Sequence, residues 1–305
     1  MSSELTRRVA FGVIAAPIAI VILLYGGAPL AALLAIVSAL GAGEFFRIAR
    51  AGGLTPFDNI GTAIAGIIPL VVHARFQGLY NAEGSVGPLS LIAVALLGLF
   101  GLSIWMRGVN GKPLSAVAVT ALGAAYTGGM LSFAYAICYH AYAFAPAVFV
   151  IGGRTFNVPG GGVLLLLPVF TTWASDIGAY SVGRPLGRHK LIPAVSPGKS
   201  VEGAVGGVLA SMLVAWVYTR MVLHPSLHLD FRLAPLGVLG FGLLVSVAAQ
   251  LGDLVESLLK REAGVKDSSH LIPGHGGILD RFDSVFFVMP LSYVLLGALL
   301  TWAPR

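Results

Sequence analysis

Apolar stretches of near-bilayer length alternate with short polar connections along almost the whole chain. A spanning helix takes about 20 mostly apolar residues. Nine segments answer to that pattern: residues 9–25, 28–46, 58–73, 88–106, 115–138, 162–182, 201–223, 233–256 and 284–304. The pattern predicts an all-α, polytopic membrane protein with about nine transmembrane helices. The third segment is short and holds Gly61, Gly66 and Pro69. Gly and Pro recur in most of the others, as close packing of spanning helices uses them. Arg7 and Arg8 ahead of residues 9–25 imitate a signal peptide. The apolar run is long for one and no clear cleavage site follows, so it reads as a retained first span.

Composition agrees. Of 305 residues, 57% are hydrophobic and only 10% charged, against about 25% charged in a soluble domain. Mean hydropathy is +0.88. The net charge of +6 is explained by the excess of Lys and Arg in cytoplasmic loops, so nucleic acid is not an expected partner. The single Cys138 excludes an internal disulfide framework.

With the N-terminus in the cytoplasm, nine spans leave only Arg75, Arg154, Arg220, Arg232 and Arg305 outside. Every other Lys and Arg then falls on the cytoplasmic side, which favours N-terminus in and C-terminus out. Both polar loops, 183–200 and 257–283, become cytoplasmic. The expected organisation is a scaffold of five spans over residues 1–150. A catalytic membrane domain follows over 151–305, with four spans and two cytoplasmic loops.

Three clusters carry candidate chemistry. At the end of the eighth span, Asp253, Glu256, Ser257 and Lys260 share one helical face by their spacing. Ionisable groups in a span are costly and mark function by default, although a pairing of Lys260 with Asp253 or Glu256 could simply end the span. The second cluster is Gly274-His275-Gly276-Gly277, followed by Asp280, Arg281 and Asp283. Its glycines permit a nest of backbone N–H groups for phosphate, and its carboxylates suit Mg²⁺. The plain alternative is a glycine turn with acids at a helix N-terminus. His270 and His275 lack the spacing and the cysteines of a zinc site; His275 is read as a phosphate contact and His270 is left without a role. The third cluster places Asp176 late in the sixth span, ahead of a loop holding Ser196, Lys199 and Ser200. Ser196-Pro-Gly-Lys199-Ser200 has part of a P-loop but not its full spacing, and no strand precedes it, so a Walker ATPase is excluded. Contact with a triphosphate through these residues is still sensible. Glu44 reads as a partner of Arg47.

The run Ser257-x-x-Lys260-Arg261-x4-Lys266-Asp267-x5-Pro273-x-His275-Gly276-Gly277-x-x-Asp280-Arg281-x-Asp283 resembles the signature of the phosphatidate cytidylyltransferases, or CDP-diacylglycerol synthases. The elements around Ser175-Asp176, Ser196-Pro-x-Lys199 and Gln250-x-Gly-Asp253 are similar to the family's other blocks. Ser200 stands where Thr is usual and keeps the hydroxyl. The resemblance is close from about Ser175 to Ser284 and rests on hydropathy alone before that.

This resemblance implies transfer of the cytidylyl group of CTP to phosphatidic acid, yielding CDP-diacylglycerol and pyrophosphate in phospholipid biosynthesis. It also implies a divalent-metal centre, Mg²⁺ with a second ion of open identity, on Asp253 and Asp280; Asp283 is a further candidate ligand. Lys260, Arg261, Lys266 and Arg281 are then expected to neutralise phosphate charge. Asp176, Ser196, Lys199, Ser200, His275, Gly276 and Gly277 are expected around substrate. The expected setting is the bacterial inner membrane with the site facing the cytoplasm, and a homodimer is allowed. The rival enzyme reading is a related CTP-dependent membrane lipid transferase or kinase acting on another lipid. The rival from another class is a secondary transporter, which the dissimilar halves and one-sided polar groups argue against.

Overall fold

In a computed structural model the described residues are 15–79, 87–269, 271 and 276–303. They form α1 (Ala15–Tyr25), α2 (Gly27–Ala51), α3 (Asp58–Phe76), α4 (Pro88–Met106), α5 (Pro113–Cys138), α6 (Gly160–Leu186), α7 (Val201–Leu227), α8 (Leu236–Glu262) and α9 (Leu279–Leu299). Eight of these, α2 to α9, are long and apolar enough to cross a membrane. The expected first span is described only from Ala15, as the shorter apolar helix α1; residues 9–14 lie outside the described residues.

Three small antiparallel strand pairs interrupt the helices. They are β1 (Ala147–Ile151) with β2 (Arg154–Val158), β3 (Lys190–Ile192) with β4 (Ser196–Ser200), and β5 (Leu229–Phe231) with β6 (Leu300–Trp302). Two expectations change here. The ninth span does not run over 284–304: α9 starts earlier, at Leu279, and the chain then leaves the helix to pair Leu300–Trp302 with Leu229–Phe231. A strand does precede Ser196-Pro-Gly-Lys199-Ser200, since β3 and β4 form a hairpin. That hairpin is not the parallel sheet a Walker motif requires, so the exclusion stands on spacing and topology.

The chain divides into two compact units. One comprises Met1–Leu30, Phe133–Leu258 and Phe282–Arg305; the other comprises Ala31–Ser132 and Leu259–Arg281. In the first, α6 and α7 pack antiparallel along a seam of small residues. A Cβ added at Gly178, Gly203, Gly206 or Gly207 would lie within 2.9 Å of the facing helix. Main chain therefore meets main chain, the close approach that small residues permit between spanning helices. Hydrogen bonds fasten α8 to this pair. Ser175 and Ser246 hydroxyls meet at 2.7 Å, Ser211 Oγ donates to Gly242 O at 2.8 Å, and Gln250 Nε2 donates to Ala204 O at 3.2 Å. Such bonds satisfy polar atoms that would otherwise lie unpaired in an apolar interior.

In the second unit, Phe57, Leu99, Ala116 and Val117 form a buried cluster joining α3, α4 and α5. The Arg107 guanidinium closes it at the polar boundary. It donates to Pro56 O at 2.8 Å and lies 4.8 Å from the centre of the Phe57 ring. The rest of α4 presents exposed apolar side chains such as Leu89, Ile92, Leu97 and Trp105, as a lipid-facing helix does.

Candidate active site

In the first unit the candidate polar residues gather where α6 ends, α7 begins, α8 passes and α9 starts. Asp176 is exposed on α6, next to the buried Ser175 that is tied to α8. The β3–β4 hairpin returns the chain from α6 to α7 and carries Ser196, Lys199 and Ser200. On it, Lys199 Nζ reaches Asp253 Oδ2 of α8 at 2.8 Å. This pair is open to solvent, with the two side chains 25% and 40% exposed. Ser257 Oγ, one turn further along α8, lies 3.4 Å from Asp253 Oδ1.

Gly252 brings the next acid in. A Cβ there would lie 2.5 Å from the Asp283 carbonyl oxygen and 3.0 Å from Ser284 Cα. The second turn of α9 can lie against α8 at this level only because Gly252 has no side chain. Charge then couples Asp176 to Asp253 and Lys199, and Asp283 to Asp253, Asp176 and Lys199. Lys199 is thus paired with Asp253 alone, and Asp176 and Asp283 lie within electrostatic reach of that pair. Ser200 has a local duty instead: it is buried, and its Oγ accepts from Gly203 N at 3.2 Å as the N-cap of α7.

In the second unit the loop after α8 is organised around Asp280. Lys260, only 9% exposed, places Nζ 2.6 Å from Asp280 Oδ1. On Oδ2, Asp280 accepts from Ser268 N at 3.2 Å, Ser268 Oγ at 2.8 Å and Gly277 N at 2.8 Å. Oδ1 thus faces the ammonium and Oδ2 faces the N–H and hydroxyl groups of the loop. The cations expected to act together therefore differ: Lys260 is buried in an ion pair, while Arg261, Lys266 and Arg281 are exposed. Gly276 adopts a positive φ of 79°, as a tight glycine turn requires. His275 and His270 lie outside the described residues.

Glu44 departs most from expectation. It does not serve as a simple partner of Arg47; its side chain is 2% exposed and receives four hydrogen bonds. Oε1 accepts from Ser269 Oγ at 2.5 Å and Ile278 N at 3.0 Å. Oε2 accepts from Ser268 Oγ at 2.9 Å and Leu279 N at 2.7 Å. Arg47 instead donates to the Ser268 carbonyl at 3.2 Å. The available signal was a lone acid in a mostly apolar helix, which rarely survives without a specific partner.

Mg²⁺ takes a few carboxylate oxygens and completes its shell with water and phosphate. The donors of Asp176, Asp253 and Asp283 have that chemistry. Among the described residues no three Asp, Glu, His or Cys side chains form a ligand cage. An ion that relies on water and substrate for most of its shell does not need one.

A model of the cytidylyltransferase family matches residues 6–299. A phosphatidate cytidylyltransferase of Bacillus subtilis strain 168 is 33% identical over 300 residues, covering 96% of this chain and 98% of that protein. The proteins of that name from Staphylococcus saprophyticus and Staphylococcus aureus strain COL are 48% and 46% identical over 132 residues. Those matches cover 43% of this chain and about half, 48%, of each staphylococcal protein.

Proposed function

The chain belongs to the cytidylyltransferase family, and we propose that it is a phosphatidate cytidylyltransferase, converting CTP and phosphatidic acid to CDP-diacylglycerol and pyrophosphate. The geometric observation carrying this reading is the solvent-open Lys199–Asp253 pair at 2.8 Å, with the Asp283 main chain packed against Gly252 beside it. A phosphate-transfer site needs a cation to join anionic reactants and a basic group to hold the nucleotide, and this cluster has residues for both.

A phosphate oxygen of phosphatidic acid attacks the α-phosphorus of CTP. The new P–O bond replaces the bond to the bridging oxygen, and pyrophosphate leaves. The attacking phosphate is already an anion, so the residues need not remove a proton from it. Their task is to overcome repulsion and hold the two phosphates in line. Lys199 contacts the triphosphate from the β3–β4 hairpin, with Ser196 beside it. Asp253 and Asp283 would hold Mg²⁺; Asp280, which the resemblance implies as a metal ligand with Asp253, belongs to the second unit and is paired there with Lys260. A bound Mg²⁺ supplies positive charge to the phosphates and the departing pyrophosphate. Arg261, Lys266 and Arg281, which the resemblance assigns to neutralising phosphate charge, are exposed on the second unit.

We place the site on the cytoplasmic face of a bacterial inner membrane. The Lys and Arg distribution supports that side, and a surface site there meets lipid headgroups and soluble nucleotide together. The test is a membrane assay for CTP- and Mg²⁺-dependent formation of a CDP-lipid from phosphatidic acid. Activity on a polyprenol but not on phosphatidic acid would overturn the reading.

A further inference from the structure

We infer that Glu44, from the N-terminal half of the chain, is a positioning residue that sets the Ser268–Asp280 loop for the transfer reaction; this inference rests on the function proposed above. The four donors on Glu44 come from both limbs of that loop. Ser268 and Ser269 lie on the outgoing limb, and Ile278 and Leu279 on the limb that enters α9. One carboxylate thereby closes the base of the loop. Ser268 Oγ lies 2.9 Å from Glu44 Oε2 and 2.8 Å from Asp280 Oδ2, so the clamp leads directly to the acid paired with Lys260.

Two further observations show that the clamp is built to fixed dimensions. A Cβ on Gly277 would lie 2.0 Å from Ser268 Oγ and 2.4 Å from Glu44 Oε2, so the loop is threaded against the carboxylate itself. On the same helix, the fully buried Phe46 ring occupies space beside Gly61 of α3 and Gly123 of α5, where added Cβ atoms would meet it at 2.4 Å. Glu44 therefore projects from a helix that cannot readily turn or slide. Its partners Ile278 and Leu279 present backbone N–H groups, which cannot become acceptors. Glutamine would put an NH₂ against one N–H and one hydroxyl whichever way it faced. The hydroxyl can rotate to accept, but the backbone N–H is left unpaired.

The test uses full-length E44Q and E44D in phospholipid vesicles, with steady-state kinetics and hydrogen exchange over residues 260–285. E44Q is expected to lower kcat by about tenfold or more, the cost of a lost charged hydrogen bond. KM for CTP should stay within about threefold, since Lys199 has no bond to this clamp, and exchange should accelerate in the loop but not in α4. E44D keeps the charge and loses reach, so its kcat should fall between those of E44Q and the natural protein. If the natural protein forms no CDP-lipid, the proposed function fails, and loop exchange alone decides the clamp. Unchanged kcat and loop exchange in E44Q would overturn the inference. If E44Q loses protection throughout the second unit, the S268A/S269A double variant, which keeps Glu44 and its two N–H donors, takes its place. A selective loss of kcat with faster loop exchange supports the clamp; unchanged values overturn it.

Discussion

Two Lys–Asp pairs with nearly equal distances behave as opposites. Lys199–Asp253, in the first unit, is half open to solvent and sits among further carboxylates. Lys260–Asp280, in the second, is almost buried and has its acid held by backbone and hydroxyl donors as well. An exposed pair contributes little to stability, about 0–1 kcal/mol, so its partners can exchange one another for phosphate or metal at small cost. A buried pair is different: removing one partner leaves an uncompensated charge, at about 3–5 kcal/mol. The open pair is suited to handling substrate and the closed pair to maintaining shape.

The sharpest way to break this contrast is to remove each acid in turn. D253A is expected to lower CDP-lipid formation by at least about a hundredfold, the scale of losing a major transition-state electrostatic partner. Its thermal unfolding in detergent should stay within about 1 kcal/mol of the natural protein. Full activity in D253A would remove Asp253 from the metal site. EDTA should abolish turnover as D253A does and Mg²⁺ should restore it; turnover that persists in EDTA would remove the metal.

D280A is expected to lose both activity and about 3–5 kcal/mol of stability. The double variant K260M/D280L tests the cause, since an apolar pair should recover much of that stability but none of the activity. Smaller effects follow from crowding. G252A and G277A each drive a methyl into a facing backbone or carboxylate and should cost about 1–3 kcal/mol by unfolding. G252A acts at Asp283 and G277A at Glu44, so loop exchange should quicken in G277A alone. Smallest is K199R, which keeps the charge on the open pair. It should change KM for CTP by about two- to fivefold, within the energy of an exposed pair.

The spans were legible because a bilayer imposes both a minimum length and a hydropathy that few other structures need. Their ends were less so. α2 continues to Ala51, past Glu44, Arg47 and Arg50, because these charges find partners rather than ending the helix. The apolar Leu300–Trp302 looks like more span but pairs with Leu229–Phe231. The local clusters around Asp176, Lys199, Asp253 and Asp280 could be found by spacing. The choice of partner could not, since a helical face makes Lys260 look suited to Asp253 or Glu256 while its ion pair is with Asp280. The partners of Glu44 were illegible for a plainer reason: they lie more than 220 positions away in the sequence, and no local pattern records them.

The seam between α6 and α7 has a consequence for how this sequence can vary. At Gly203 and Gly207 the nearest facing atom is a backbone oxygen, so compensating double changes have little to work with there. A deep mutational scan is expected to find Gly178, Gly203, Gly206 and Gly207 intolerant of almost every other residue. Evolution can repaint the lipid-facing surface of these helices freely while this line of contact stays fixed.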